Sequence, residues 1–130
     1  MRILIGVMLL IAGAIHLLPL TGIFGAAQLE KLYGLSFADA NLAVLMRHRA
    51  VLFGLLGGLM VTAAFRPELQ PAAIIAGLVS VTTFLWLAWP VGQFSAQVAR
   101  IWNADVIALV CLVIASGAWL VLPVASRQST

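Results

Sequence analysis

The chain has 130 residues, of which 64% are hydrophobic and only 8% charged, and its formal net charge is +3. An average soluble domain has roughly 25% charged residues, so this composition excludes an ordinary water-soluble domain. The basic residues lie at the ends of apolar segments and not on one soluble face, which argues against nucleic-acid binding. The lipid bilayer is therefore the expected environment of the chain.

Four apolar stretches are long enough to cross a bilayer, since a helical crossing needs about 20 apolar residues. The predicted helices cover about residues 3–18, 40–65, 71–90 and 101–122. The first run continues to Leu20 without a polar start, so we expect a retained helix and not a cleaved signal peptide. The connections are short, and we therefore predict that residues 1–130 form a single all-α domain, an up-down bundle of four transmembrane helices.

The connection after the first helix contains a shorter helix of a different kind. Residues 26–33 place Leu29, Leu32 and Tyr33 on one face and polar side chains on the other, a pattern typical of an amphipathic helix at a membrane surface. Gly34 provides a stop for this helix. Residues 36–39 either form a capping box or place Asp39 as the N-cap of the next helix.

Most polar residues of the predicted helices lie at one end of the bundle. The up-down topology brings the ends of the first and third helices to the same membrane level as the starts of the second and fourth. The candidate site residues at this level are His16, Tyr33, Asp39, Arg47, His48, Trp86, Trp89, Asn103 and Asp105. The opposite end has only four charged residues, which we interpret as interfacial anchors: Arg2, Arg66, Glu68 and Arg127.

Helical periodicity predicts which of these side chains point inward. His16 shares a face with Ala12 and Gly13, so we expect it inside the bundle. At 100° per residue, Arg47 falls within about 20° of Gly54, and we therefore predict that Arg47 points inward, whereas Arg49 extends outward to the headgroups. Asp105 is the expected counterion of Arg47 or of a histidine.

Three functional hypotheses fit this pattern. In the first, the polar end binds, and in an enzyme transforms, a small lipophilic ligand with a polar or anionic head. In an enzyme, His16 or His48 is the acid or base, Asp105 is the carboxylate that orients it, and Arg47 is the electrostatic clamp. In the second, the chain is a structural or transport subunit of a homo-oligomer, in which the cluster is interhelical glue or relays protons and the tryptophans form an aromatic belt. In the third, His16 and His48 ligate haem b or another metal, although the spacing of a known metal site is absent.

Four segments of the chain have a recognisable sequence: 29–34 (LEKLYG), 41–54 (NLAVLMRHRAVLFG), 64–67 (AFRP) and 84–88 (FLWLA). In these segments, and most specifically in MRHRA, the chain resembles a family of small bacterial membrane proteins that have four helices and no characterised function. Some members carry the name phosphopantetheine adenylyltransferase, but this sequence lacks the phosphate-binding turn of a nucleotidyltransferase. The four-helix plan is more loosely similar to DoxX-like proteins. The resemblance implies a multi-pass protein of the bacterial inner membrane.

Overall fold

A computed structural model describes residues 1–122 of the chain, and every regular element in this range is helical. The predicted all-α fold is confirmed, whereas the predicted anchor Arg127 lies outside the described residues. The α-helices are α1 (Arg2–Leu17), α2 (Ala26–Tyr33), α3 (Ala40–Phe65), α4 (Gln70–Ala88) and α5 (Ala96–Val121). Short 3₁₀ segments follow α1, α3 and α4: Leu18–Phe24, Pro67–Leu69 and Trp89–Val91.

Four helical spans are long and apolar enough to cross a membrane, and the protein is a multi-pass membrane protein by this criterion. The spans are Arg2–Phe24, Ala40–Phe65, Pro67–Val91 and Ala96–Val121. The last span begins five residues before the predicted residue 101. The helix begins earlier because Ser95 is its N-cap: the Ser95 hydroxyl accepts a hydrogen bond from the Val98 backbone N–H at 3.3 Å.

The four long helices form a ring in chain order. Both α1 and α4 pack against α3 and α5, whereas α1 and α4 meet only slightly across the diagonal. Helices α1 and α3 approach each other closely at two glycines, because a Cβ atom placed on Gly57 would lie 2.9 Å from the carbonyl oxygen of Gly13. A Cβ atom on Gly58 would meet nothing within 4 Å. Gly57 and Gly13 therefore allow the close helix contact that small residues provide in membranes.

The short helix α2 covers the end of the bundle at which α1 and α4 end and α3 and α5 begin, which we call the polar end. Its buried residues Leu29 and Tyr33 pack with Phe37 and with Ile101 of α5. Gly34 ends α2 in the left-handed conformation, with φ 67°, as the sequence predicts. We call the opposite end, which carries the 66–69 connection between α3 and α4, the turn end.

Candidate functional site

His16 lies at the end of α1 and is only 1% exposed. Its Nδ1 lies 2.8 Å from the carbonyl oxygen of Ala12. Because a carbonyl oxygen only accepts, we infer that Nδ1 carries the proton and that Nε2 of the neutral ring has a free lone pair. Nε2 is buried and has no hydrogen-bond partner among residues 1–122. A buried polar atom without a partner costs about 1–3 kcal/mol, so this nitrogen is a position at which a bound donor would be stabilised.

Phe53 of α3 packs on the imidazole of His16. The two ring centroids are 5.7 Å apart and the ring planes are inclined by 26°. The guanidinium carbon of Arg49 lies 4.7 Å from the centroid of the same phenyl ring. A cation over an aromatic face is a favourable arrangement, so Phe53 holds both the histidine and the arginine in place.

Tyr33 of α2 fixes the other side of Arg49. An Nη1–H group of Arg49 donates a hydrogen bond to the Tyr33 hydroxyl at 2.9 Å. The Tyr33 side chain is itself buried, with 6% exposure. The covering helix α2 is thereby tied to α3 through one charged hydrogen bond, which also sets the direction of the guanidinium group.

Asp105 of α5 completes the site. It is 6% exposed and lines the same small cavity as His16 and Arg49, with a volume of about 60 Å³, which we call the chamber. No ion pair within 4 Å joins Asp105 to Arg49. The chamber therefore contains one cationic group, one carboxyl group and one unpartnered imidazole nitrogen.

A second cavity of about 210 Å³ lies beside the chamber, and we call it the outer groove. Its lining includes Lys31 of α2 and Arg100 of α5. Five residues line both cavities: Leu18, Pro19, Tyr33, Ile101 and Ala104. The chamber and the outer groove are therefore adjacent, and four of these five shared side chains are apolar.

The predicted inward orientation of Arg47 is wrong. Arg47 is exposed, and its Nε–H donates to the carbonyl oxygen of Ile23 at 2.9 Å. The buried face of α3 contains Ala50, Gly57 and Met60, and not Gly58. At 100° per residue, Arg49 lies about 40° from Phe53 on this face, whereas Arg47 lies about 120° away. Arg49, for which the sequence predicts an outward position, is the arginine of the site.

The structure does not bring the two histidines together. His16 is buried, whereas His48 is exposed on α3 and lines none of the described cavities at the polar end. Axial ligation of haem b needs both imidazoles to face one interior space, and these two do not. No group of three or more His, Cys, Asp or Glu side chains within residues 1–122 is arranged to hold a metal ion.

Four other predicted site residues lie outside the chamber. Asp39 is exposed and caps α3, accepting hydrogen bonds from the backbone N–H groups of Asn41 and Leu42. The exposed residues Asn103, Trp86 and Trp89 also do not line the chamber. The Trp89 ring lies 6.3 Å from that of Trp102, an aromatic group at the membrane level expected of an interfacial belt.

Three of the nine predicted residues, His16, Tyr33 and Asp105, therefore line the chamber. Sequence reasoning missed two residues of the site, Arg49 and Phe53. Residues four apart lie on the same face of a helix, so Arg49 shares a face with Phe53. This spacing identifies Arg49 as a site residue only when the packed face of α3 is already known.

Comparison of the chain with protein families, with curated proteins and with solved structures found no match in any of the three. The resemblance to small bacterial membrane proteins stays a prediction. The chemistry of the chamber and the outer groove is therefore the basis for assigning a function to the chain.

Proposed function

We propose that the protein binds a small lipophilic ligand from the membrane, with a polar group of the ligand in the chamber and an apolar part along the outer groove. The observation that carries the proposal is the buried, unpartnered Nε2 of His16 in a residue that lines a cavity. Native proteins satisfy nearly all buried polar atoms, and an exception at a cavity is a frequent sign of a binding site.

The groups that line the chamber favour a ligand that donates hydrogen bonds. Nε2 of His16 is an acceptor without a partner and the carboxylate of Asp105 is a second acceptor, whereas Tyr33 already takes one of the five N–H groups of Arg49. The charges of Arg49 and Asp105 offset each other, which favours a neutral polar group over an anion at this depth. A volume of about 60 Å³ holds a few water-sized groups, so a hydroxyl or amino group fits.

In an enzyme, these residues would have distinct roles. Nε2 of His16 would accept a proton from a bound hydroxyl group, and Arg49 would stabilise the negative charge that develops on the oxygen. Asp105 is not the group that orients the imidazole, because Nδ1 is bonded to the carbonyl oxygen of Ala12. The backbone of α1 has this positioning role.

The core supports ligand binding over a proton relay across the membrane. The buried polar side chains within residues 1–122 are His16, Tyr33 and Asp105 at the polar end and Gln70 at the turn end. Between the two ends the large buried side chains are apolar, including Leu9, Met60 and Leu112. A relay needs polar groups along its path. For the location, the family resemblance supports the bacterial inner membrane.

The two histidines provide a matched test. The protein is purified in a mild non-ionic detergent, and bound small molecules are measured by native mass spectrometry and by mass spectrometry of an organic extract. We expect the wild-type protein and the His48→Ala variant to carry a lipophilic adduct at near one per chain, and the His16→Ala variant to lose it. Circular dichroism and size-exclusion chromatography confirm that each variant is folded.

Other outcomes would contradict the proposal. An adduct that persists in His16→Ala would remove the chamber as the binding site, and a loss in both variants would show that the effect is not specific to His16. A visible absorption band of haem that disappears in His16→Ala would replace the proposed ligand by a cofactor.

A further inference from the structure

Two cationic side chains lie on different helices at the outer groove. Lys31 is in the last turn of α2, and Arg100 is one turn into α5. Both are exposed, and both line the groove. No ion pair within 4 Å joins either of them to an acidic side chain of residues 1–122. No Asp or Glu lines the groove, so its cationic charge is not neutralised locally.

The rest of the groove is mostly apolar. Five of its lining residues are apolar, Leu18, Pro19, Leu32, Ile101 and Ala104, and Tyr33 and Gln97 are the other two. Lys31 belongs to an amphipathic helix outside the four spans, and Arg100 lies near the start of the fourth span. We therefore expect both cations to lie at the level of the lipid headgroups.

We propose that the outer groove binds the acidic headgroup of an amphiphile, with Lys31 and Arg100 on the phosphate or carboxylate and the adjoining hydrocarbon along the apolar lining residues. Arginine and lysine form strong charge-assisted hydrogen bonds with such groups. A free anion would gain nothing from the five apolar lining residues, which is why the occupant is a lipid-like molecule.

The size of the site limits how much of the amphiphile it holds. The outer groove and the chamber, of about 210 and about 60 Å³, are together smaller than the roughly 300–1,000 Å³ of sites that enclose a drug-sized ligand. The groove therefore holds the headgroup and the first part of one chain, and the rest of the chain lies in the surrounding lipid.

This inference rests on the proposed function, because it takes one ligand molecule to occupy both the chamber and the outer groove. An acid group at Lys31 and Arg100 and a hydrogen-bond donor at His16 together define the substrate class. That class is an acidic amphiphile with a hydroxyl or amino group close to its headgroup. Single-chain phospholipids with a free glycerol hydroxyl have this arrangement and are suitable probes.

The experiment compares two probes that differ only in their headgroup. Binding of 1-oleoyl lysophosphatidic acid and 1-oleoyl lysophosphatidylcholine to the detergent-purified protein is titrated by native mass spectrometry. We expect the wild-type protein to bind the lysophosphatidic acid at least about tenfold more tightly, since two charged bonds are involved. The double variant Lys31→Gln/Arg100→Gln should lose this preference.

Arg47→Gln is the matched control. Arg47 is an exposed cation at the same end of the bundle, and it does not line the groove. The preference for the acidic lipid should persist in this variant. An equal loss in Arg47→Gln, equal binding of the two lipids by the wild-type protein, or no binding of either lipid would overturn the inference. Inorganic phosphate that binds as tightly as lysophosphatidic acid would also overturn it, because a simple anion site needs no chain.

The titration and the measurement of the copurified adduct together separate this inference from the proposed function. If His16→Ala loses the copurified adduct and keeps the headgroup preference, the groove recognises the headgroup independently of the chamber. If the Lys31→Gln/Arg100→Gln variant keeps both the adduct and the headgroup preference, and His16→Ala loses the adduct, the headgroup inference is wrong and the proposed function stands.

Discussion

The two ends of the bundle have cavities of different size and different chemistry. At the turn end, a surface depression of about 350 Å³ is lined by Arg2, Phe65 and Gln70, among others. It is larger than the chamber or the outer groove at the polar end. The buried side-chain atom without a hydrogen-bond partner in residues 1–122 nevertheless lies at the polar end, on His16. Unmet hydrogen-bonding capacity therefore identifies the site better than volume does.

The connections at the two ends also differ. The turn end is closed by one 3₁₀ turn, Pro67–Leu69, beside an exposed ion pair. The polar end is covered by α2, which contributes Tyr33 to the chamber and Lys31 to the outer groove. A short connection only reverses the chain, whereas a longer one adds a wall to a cavity. Four substitutions test how far this difference extends.

The largest expected effect concerns the helix contact that positions His16. Gly57→Val places side-chain atoms where even a Cβ lies 2.9 Å from the Gly13 carbonyl oxygen and 2.8 Å from Cγ of Leu17. We expect the free energy of unfolding in mixed micelles to fall by about 3 kcal/mol, because α1 must move away from α3. Gly58→Val is the control with the same change in helix propensity and no close contact, and its effect should be below about 1 kcal/mol. Equal losses would contradict the close approach.

The second effect concerns the arginine that the structure places in the site. Arg49→Gln removes the hydrogen bond to Tyr33 and the contact with the Phe53 ring. We expect a loss of about 2 kcal/mol in the unfolding free energy. Arg47→Gln removes one exposed hydrogen bond to a backbone carbonyl and should cost less than about 1 kcal/mol. A larger loss of unfolding free energy in Arg47→Gln than in Arg49→Gln would support the inward orientation of Arg47 that the sequence predicts.

The third substitution should raise the free energy of unfolding and not lower it. His16→Leu replaces a buried, unpartnered polar atom by an apolar side chain, so we expect the ligand-free protein to gain about 1 kcal/mol in unfolding free energy. The same variant should lose the copurified adduct. A gain in stability with a loss of binding is characteristic of a residue kept for function. The exposed His48 provides the control, because His48→Leu should change neither quantity strongly. A clear destabilisation by His16→Leu would show that this histidine is structural.

The sequence predicted the elements well and the site only in part, for a physical reason. A membrane span must satisfy all its backbone polar groups internally, so length and hydropathy identify the helices. The sequence predicts His16 inside the bundle because Ala12 and Gly13 mark the packed face of α1, and the structure buries all three. The end of α2 at Gly34 is also predictable, because many helices end at a glycine in the left-handed conformation.

The sequence does not show which of Arg47 and Arg49 points into the bundle. Helix α3 has apolar side chains around most of its circumference, so periodicity does not reveal a buried face. Its three glycines define more than one narrow face, and the contact of Gly57 with Gly13 and Leu17 in α1 decides which one packs. Phe53 gives no signal as an apolar residue in an apolar helix. These features depend on the neighbouring helix and not on α3 alone.

The smallest expected effect tests whether the turn end is only an anchor. Arg66 and Glu68 form an ion pair of 3.4 Å with side chains that are 67% and 51% exposed. Such pairs are screened by water and salt, so Glu68→Gln should change the unfolding free energy by less than about 0.5 kcal/mol. The unfolding assay at low and high salt, with mass spectrometry of the adduct, measures both properties. A loss of the adduct in Glu68→Gln would show that ligand binding depends on the turn end, since nothing at that end lines the chamber or the outer groove.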